Sequence, residues 1–447
     1  MKKPTFFISC PIDTYSGYGA RSRDLVKAII ELDKFDVKIM PQRWGETPWN
    51  FCTDHKEWSF LNKHFIHKLE YQPDIWMQVS IPNEFQPVGK FNIGCTAGME
   101  TNVCNQEWIQ GLNRMNFNIV SSNHSKHVFN DSVWKEVHKQ TRQEMMVKLD
   151  KPLEVLFEGF DTDKFKVVKG KDIKEIKLTE LQESFAFLFV GHFIAGNDKV
   201  NDDRKNVHGL IKSFLENFKG KKKKPALILK MSGSGASYTD RYRMLEKIDQ
   251  VKKEVGGDNL PNIYLLHSEL SDEEINELYN HPRVKAMISL TRGEGFGRPL
   301  LEFTQSKKPI IASGWSGHTD FLDKELSILL PGKLKKLDRT SVNKWFIEDA
   351  QWFDVDLNAA KMAMNSVYND YDNWLIKAKK QGTLNKENFS FDKMKDRILE
   401  IFTNQNVPLE VASKVKFQVP TLKKKDDGIK KLPKLKLPTI KPTSGNE

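Results

Sequence analysis

Two glutamates stand eight positions apart in the stretch "EGFGRPLLE", residues 294–302, with two glycines and a proline between them. The apolar run "VKAMISL" before it predicts a buried strand, and Pro299 suits the first position of a helix because a helix start leaves that N–H unpaired anyway. A glycine-containing corner between a strand and a helix lets the main chain approach a ligand closely, and its free N–H groups favour anions. The sequence therefore predicts a ligand-binding corner with Glu294 in the loop and Glu302 about one helical turn past Pro299.

A pair of basic residues, Arg204 and Lys205 in "DRKN", follows the strand-like run "FAFLFVG" in the same half of the chain. The pair is either an ordinary charged helix start on a solvated surface or part of a functional site. The glycine-ended strand before the pair, and Glu294 in the same half of the chain, favour a functional site. Lys230 ends another strand, "ALILK". Its side chain either reaches towards the predicted ligand-binding corner or extends along the surface.

Short apolar runs alternate with amphipathic stretches in both halves of the chain, which predicts strands separated by helices. We expect two Rossmann-like, doubly wound α/β domains that face each other across a cleft. The expected divisions are an N-terminal domain at 1–160, a linker at 161–184, a C-terminal domain at 185–370, helices that return to the first domain at 371–403, and a disordered lysine- and proline-rich tail at 404–447. Ser390 is expected to cap the last helix.

The charge of the chain is uneven. Its net charge is +11, from 70 basic and 59 acidic residues, and after residue 411 there are ten lysines against three acidic residues, or +7. The tail is either a solubilising segment or an electrostatic tether for a polyanion such as nucleic acid or an anionic membrane. The prolines argue against a membrane helix.

Composition excludes several classes of protein. No apolar stretch is long enough to span a membrane, and no signal sequence is recognisable, so we expect a soluble, cytoplasmic protein without a transmembrane segment. The four cysteines form no CxxC pair, which suits reduced thiols. The 11 histidines lack ligand spacing, and the short motifs "DTD" and "DVD" sit in the linker and near the last helices, so neither a metal site nor a cofactor is expected.

The spacing of Glu294 and Glu302 resembles the Glu-x7-Glu signature of the family 4 retaining glycosyltransferases, which have the GT-B fold. Further stretches resemble that family in the same order along the chain: "SGYGARSRDL", "METNVCNQEWIQGLNRMNFNIVSSNHSK", "EGFDTDKF", "FLFVGHF" with "DRKNVHGLIKSF", and "IIASGWSGHTDFL". The resemblance covers roughly residues 6–402 and leaves out the tail. It implies a GT-B architecture in which the N-terminal domain takes the acceptor and the C-terminal domain the nucleotide sugar.

The activity that the resemblance implies is a metal-independent, retaining hexosyl- or pentosyltransferase that uses a UDP-, GDP- or other nucleotide-diphosphate sugar. Glu302 would accept hydrogen bonds from the ribose hydroxyls and Glu294 from the transferred sugar. Gly295, Phe296 and Gly297 would offer backbone N–H groups to sugar and phosphate. In the mechanism usual for this family the leaving phosphate takes the acceptor's proton, so no protein nucleophile is needed.

The same resemblance gives the diphosphate to Arg204 and Lys205, with Gly17 and Gly19 letting a loop of the first domain close over it. One position departs from the family: His192 stands where many members have an arginine, which predicts weaker or pH-dependent phosphate binding.

Glu100 and His124 in the first domain are candidates to orient the acceptor hydroxyl, and a capping role is the alternative for each. We rank Glu100 first. The tryptophans of the loop at 43–68, Trp44, Trp49 and Trp58, either stack on an acceptor ring or cover the cleft.

Three other functions stay open at this point. The acceptor can be a hydroxymethylated base of viral DNA, an alternative that the basic tail favours. The chain can instead be a non-catalytic binder of sugar nucleotides or polyanions, an alternative that His192 favours. An epimerase of the same fold is the third.

Overall fold

The structure, a computed structural model, describes residues 3–137, 142–193, 203–233 and 237–410. In that part of the chain, two six-stranded parallel sheets form the centres of two lobes. The two Rossmann-like domains expected from the sequence are thereby confirmed.

The first lobe contains a parallel sheet, four helices and a small antiparallel hairpin. Its strands are β1 (Thr5–Cys10), β2 (Asp36–Pro41), β3 (Ile75–Val79), β4 (Phe91–Cys95), β5 (Phe117–Val120), β6 (Trp134–Val137), β7 (Glu144–Val147) and β8 (Leu153–Val155). Its helices are α1 (Gly17–Glu31), α2 (Phe51–Asp54), α3 (Gln106–Asn113) and α4 (Asn123–Asp131). The sheet order is β2-β1-β3-β4-β5-β8, and β6 pairs with β7.

The second lobe is also built from a parallel sheet and helices, but the order of its strands differs from that in the first lobe. Its strands are β9 (Ala186–His192), β10 (Ala226–Ser232), β11 (Ile263–Leu266), β12 (Val284–Ser289), β13 (Ile310–Ser313), β14 (Ile328–Leu330), β15 (Gly332–Lys336) and β16 (Gln351–Val355). The helices that follow its strands are α5 (Val207–Phe218), α6 (Tyr238–Val255), α7 (Asp272–Asn280), α8 (Arg298–Thr304) and α9 (Leu357–Asn369). In the sheet order β11-β10-β9-β12-β13-β14, successive strands are added on one side of β9 as far as β11 and on its other side from β12 onward. The point between β9 and β12 is therefore the switch point, where doubly wound sheets bind ligands.

Both faces of each sheet are buried, so the strands are apolar on both sides. In β9, Phe187 and Phe189 belong to one core while Ala186 and Leu188 belong to another on the opposite face. This follows from the alternation of side chains along a strand. It also explains why the central strands are continuous apolar runs in the sequence.

The two C-terminal helices, α10 (Tyr371–Asn388) and α11 (Phe391–Asn404), behave differently from each other. We expected both to return to the first lobe, but α10 packs on the second: the amide of Gln305 donates to the Gly382 carbonyl at 3.2 Å. Only α11 returns, with Phe402 stacked on Phe6. Ser390 caps it as predicted, accepting from the Lys393 N–H.

The chain crosses between the lobes at two adjacent places. The Phe160 N–H donates to the Phe389 carbonyl at 3.2 Å, and the Phe391 N–H donates to the Phe160 carbonyl at 2.8 Å. The linker expected at 161–184 then runs along α7, where the Glu277 carboxylate accepts N–H groups from residues 174–176. The two segments that cross between the lobes are therefore hydrogen-bonded to each other.

The predicted disordered tail begins too early. Residues 404–410 are described, and Val407 is buried in the core of the first lobe with Leu409 packed against that core. The rest of that prediction, at 411–447, lies outside the described residues. Within the described part, no helix combines the length and the apolar character needed to cross a membrane, and the four cysteines are buried free thiols.

Candidate active site

The sequence-predicted residues of the second lobe gather at the carboxyl ends of β9 and β12. His192 is the last residue of β9, the loop at 203–206 leads into α5, and Glu294 follows β12. These two strands are neighbours at the switch point of the sheet. The topology thus brings together residues that lie about a hundred positions apart in sequence.

The corner at 293–297 is held by its neighbours. The Glu294 N–H donates to Ser316 Oγ at 2.9 Å, and the Gly317 N–H donates to the Glu294 carbonyl at 3.0 Å. Gly297 has a φ of +95°, the left-handed conformation that glycine tolerates best, and α8 begins at the next residue. Pro299 is the second helical residue rather than the first.

Glu294 lies in a cluster of charges from both lobes. Lys205 Nζ is 2.5 Å from Glu294 Oε1, and Arg204 Nη1 is 3.5 Å from Glu294 Oε2. Arg204 also lies 3.6 Å from the carboxylate of Glu100, which belongs to the first lobe. Burial acts to raise the pKa of Glu294, but the two cations outweigh it and lower the pKa to about 2. The carboxylate is therefore ionised at neutral pH.

The main chain positions the two cations. Arg204 donates from Nη1 to the Gly293 carbonyl at 2.6 Å, and its own carbonyl accepts the Arg292 N–H at 2.9 Å. Just after the pair, Asn206 has a left-handed φ of +51° and caps α5, whose first N–H donates to the buried Asp203 carboxylate at 2.7 Å. The loop is fixed at both ends, so the cations stand in defined positions.

His192 ends β9, whereas Lys230, expected at the end of its strand, lies two residues before the end of the neighbouring strand β10. His192 Nδ1 is 3.3 Å from the Ser232 hydroxyl. Desolvation, followed by the positive charges of Lys205, Arg204 and Lys230, lowers the pKa of His192 to about 4. The imidazole is therefore neutral at pH 7 and adds no positive charge to the site. Lys230 is half-buried, and desolvation lowers its pKa.

Glu302 is joined to a residue that the sequence interpretation passed over. Arg298, one turn earlier on α8, donates from Nε to Glu302 Oε1 at 2.7 Å and from Nη1 to Asp24 on α1 of the first lobe. Burial raises the pKa of Glu302 to about 7 despite Arg298. Arg298 thus connects the second glutamate of the motif to the other lobe, and its place inside "EGFGRPLLE" was the signal available for it.

His318 is a second residue that the sequence interpretation missed, although it stands in the quoted stretch "IIASGWSGHTDFL". It is buried, and its Nε2 lies 2.6 Å from the Ser313 carbonyl. Its Cβ packs against Gly297. Nε2 donates to that carbonyl, and Nδ1 has no partner among the described residues. Burial lowers the pKa of His318, so it packs against the corner as a neutral ring.

Gly17 and Gly19, expected in a loop of the first lobe that closes over the diphosphate, lie instead in the first turn of helix α1, and their surroundings differ. Gly17 begins α1 with open space where a side chain would stand. Gly19 is packed, since a Cβ there would lie 2.3 Å from the Thr14 carbonyl oxygen. Of these two positions, only position 19 requires a glycine because of packing.

Glu100 reaches the charge cluster and His124 does not. The His124 ring contacts Trp315 of the second lobe edge-on, with 4.5 Å between the ring centroids. Burial lowers its pKa to about 4. The structure therefore gives His124 a contact between the lobes, while Glu100 faces Arg204.

The lobes meet closely around the corner. A Cβ on Gly293 would lie 2.0 Å from the Glu100 carbonyl oxygen, and one on Gly295 would lie 2.4 Å from the Ala97 carbonyl oxygen. Ser121 of the first lobe donates to the Gly295 carbonyl at 3.2 Å. Glycine at these positions allows main chain to lie against main chain across the cleft.

Two cavities formed by described residues of both lobes are relevant to the site. The larger, of about 640 Å³, lies between the first lobe's loops, including Trp49, and the residues at 269–274 of the second lobe. The smaller, of about 420 Å³, lies beside Glu100 and is lined by Trp44, while Trp58 is buried. Among the residues that the structure describes, no three His, Cys, Asp or Glu side chains are grouped to hold a metal ion, and metal independence stays a prediction.

Comparison with known proteins finds likeness in sequence for one lobe and in fold for both. Residues 180–330, most of the second lobe, match the model of a family described as "Glycosyl transferases group 1". No curated protein matches the chain in sequence.

Solved structures match nearly the whole chain. A glycosyltransferase from Rickettsia africae is 13% identical with a TM-score of 0.59, and the match covers 91% of this chain and 99% of that one. Sucrose-phosphate synthase from Thermosynechococcus elongatus has the same identity and TM-score, with 90% and 99% covered. The Anabaena HepE protein, solved with UDP and glucose, is 11% identical with a TM-score of 0.57, with 90% and 100% covered. At these identities the likeness establishes the fold, which is the GT-B architecture of two Rossmann-like lobes.

Proposed function

We propose that this chain is a retaining glycosyltransferase that transfers a sugar from a nucleotide-diphosphate sugar to an acceptor hydroxyl. The observation that carries the proposal is the cluster of Glu294, Arg204 and Lys205 at the switch point, facing Glu100 across the cleft. The family match of the second lobe supports it, since that lobe contributes three of these four residues. Family 4 membership and the retaining course are part of the proposal.

The cations would exchange partners when the donor binds. In the structure, Lys205 and Arg204 lie against the carboxylate of Glu294 and neutralise its charge. A diphosphate brings two negative charges and several acceptor oxygens to the cations, so the carboxylate becomes available to the hydroxyls of the transferred sugar. The side chain of Lys205 is 16% exposed, and that of Glu294 is 11% exposed. Charges so little exposed to water interact more strongly than charges on the surface.

The transfer step would need no protein nucleophile. The bond between the sugar's anomeric carbon and the diphosphate oxygen breaks, and the acceptor oxygen bonds to that carbon on the same face. The acceptor proton passes to the departing phosphate oxygen. Arg204 and Lys205 stabilise the negative charge on the leaving group, and ionised Glu294 complements the positive charge that develops on the sugar.

The identity of the donor is best sought among nucleotide sugars. Anabaena HepE was solved with UDP and with UDP-glucose, so UDP-sugars head the panel, followed by GDP- and ADP-sugars. Each is tested for a rise in the thermal unfolding temperature, because a ligand that binds only the folded state stabilises it. Nucleotide release is then measured with the donor that stabilises most.

Glu294→Gln keeps the side chain's size and removes its charge. We expect turnover to fall by about 10²- to 10³-fold, the range for loss of one group that stabilises charge in a transition state, while the donor still raises the unfolding temperature. Glu180→Gln, on an exposed glutamate of the linker, is the matched control and should turn over normally. If no nucleotide sugar stabilises the protein and none is cleaved, the proposal is wrong.

Neutral His192 supports one competing function, a binder of sugar nucleotides without catalysis, since it leaves the phosphate site with two cations rather than three. The same assay separates the two functions. Donor binding without cleavage or transfer in the unmodified chain would favour the binder.

A further inference from the structure

We propose, building on the proposed function, that the cavity of about 420 Å³ beside Glu100 is the acceptor site and that the acceptor is a saccharide. Its volume lies within the range of small-molecule sites. A cavity of this volume can accommodate one or two pyranose rings.

Aromatic rings form the walls of this cavity. Trp44 is stacked on Tyr18 with 4.0 Å between the ring centroids, and Trp108 and Trp345 lie 6.4 Å apart on another side. Trp44 and Trp345 are half-buried, whereas Trp108 is buried. Flat apolar surfaces of this kind receive the C–H face of a sugar ring, and tryptophan provides them at little cost in side-chain entropy.

The charged side chains that line the cavity are Glu84, Glu100 and Arg43. Carboxylate oxygens accept hydrogen bonds from hydroxyl groups, and a guanidinium donates to hydroxyl and ring oxygens. Aromatic walls combined with a few charged groups therefore match a molecule that has apolar faces and a hydroxylated edge.

The cavity connects with the charge cluster through Glu100. Its side chain lines the cavity and also lies 3.6 Å from Arg204, while its carbonyl oxygen abuts Gly293. A hydroxyl that accepts a hydrogen bond from the guanidinium of Arg204 or donates one to Glu100 would stand next to the proposed donor site. This is the position that an attacking group requires.

The second lobe completes the cavity with a strap, residues 337–350 between β15 and β16. Trp345 and Phe346 on the strap line the cavity. The strap and the start of β16 are hydrogen-bonded to the first lobe: the Asn105 amide donates to the carbonyl of Lys344 on the strap at 2.8 Å, and the Asn102 N–H donates to the carbonyl of Gln351, the first residue of β16, at 3.0 Å. The aromatic site therefore contains side chains from both lobes.

Charge favours a saccharide over a nucleic acid as the acceptor. A base extruded from DNA would bring its flanking phosphates to the mouth of the cavity, where Glu84 and Glu100 are negative and only Arg43 is positive among the lining side chains. A neutral sugar meets no such repulsion.

The test uses the full chain with the nucleotide sugar that raises its unfolding temperature most. Acceptors are the methyl α- and β-glycosides of glucose, galactose and mannose, the disaccharides maltose and cellobiose, and single-stranded and duplex oligonucleotides that contain 5-hydroxymethylcytosine. Mass spectrometry detects the addition of one sugar. We expect a product with at least one saccharide and none with the oligonucleotides.

Trp345→Ala tests whether the strap contributes to the site. We expect the KM for the saccharide to rise roughly fivefold or more, in line with the worth of one aromatic stacking contact, while the donor still raises the unfolding temperature. Trp345→Phe keeps an aromatic ring and should restore most of the affinity even if the alanine variant folds poorly. The matched control is Trp374→Ala, on a half-buried tryptophan of α10 whose indole donates to Ser366, and its KM should match that of the unmodified chain.

Different failures have different meanings. Transfer to the oligonucleotides, or cleavage of the donor by water without transfer to any saccharide, overturns this inference and leaves the proposed function in place. An unchanged saccharide KM in Trp345→Ala overturns the placement of the site. Absence of donor binding and cleavage overturns the proposed function itself.

Discussion

Replacement of Gly293 by alanine tests whether the close contact between the lobes is needed for activity. The added Cβ would lie 2.0 Å from the Glu100 carbonyl oxygen, whereas an ordinary contact needs at least 3.4 Å. The main chains on the two sides of the cleft must therefore separate by about 1.4 Å. The partner atom is backbone, so it cannot escape by a change of rotamer.

The displacement acts directly on the cluster. Glu100 carries both the obstructing carbonyl and the carboxylate that faces Arg204 at 3.6 Å. A misplacement of about 1 Å can cost about a hundredfold in rate, so we expect kcat in Gly293→Ala to fall by about 10². The cores of the two lobes are not touched, and we expect the far-UV circular dichroism to be unchanged.

The assay is donor turnover and acceptor transfer by the purified variant. Gly17→Ala, where a Cβ would meet open space, is the control for folding and should unfold at the temperature of the unmodified chain. If Gly293→Ala transfers sugar at the normal rate, then either the lobes do not close as in this structure or the site does not depend on their spacing.

Three further predictions follow from the charges of the site. Lys205→Ala should weaken donor binding about tenfold or more, since it removes a charge-assisted phosphate contact, and isothermal titration would measure the change; equal affinity would place the diphosphate elsewhere. His192→Arg should tighten donor binding at pH 7, because the native imidazole, with a pKa of about 4, is neutral there, and the same titration at pH 7 checks the direction. The pKa of Glu302 is raised from 4.5 to about 7, so the protonated form is stabilised by folding and this contribution is lost as the pH rises from 4.5 to 7. The free energy of unfolding should therefore fall by about 2 kcal/mol more in the native chain than in Glu302→Gln between pH 5 and pH 7, as measured by urea denaturation at those two pH values; parallel curves would contradict it.

The local patterns in the sequence are sufficient for the fold and for part of the site. Apolar runs such as "FAFLFVG" are buried on both faces and predict central strands directly. Arg204, Lys205 and Glu294 follow two such strands, and parallel strands end at one edge of a sheet, so their meeting is predictable from topology alone. Their roles in binding a donor stay predictions.

Contacts between the lobes are not predictable in this way. Arg298 looks like a spacer within its motif, and only the folded chain places Asp24, some 270 positions earlier, against it. The helix α10 stays with the second lobe because Gly382 fits closely against the Thr304 carbonyl, a match that no periodicity reports. The strap with Trp345 is similar, since a polar stretch gives no signal of the surface on which it will lie.

The strap has a kinetic consequence. Trp345 and Phe346 belong to the lobe that would bind the nucleotide under the proposed function, whereas Trp44 and Trp108 belong to the other lobe, so any separation of the lobes would divide the aromatic chamber. The acceptor should then be held firmly only while the lobes are together. The glycosylated product would be released when the chamber comes apart.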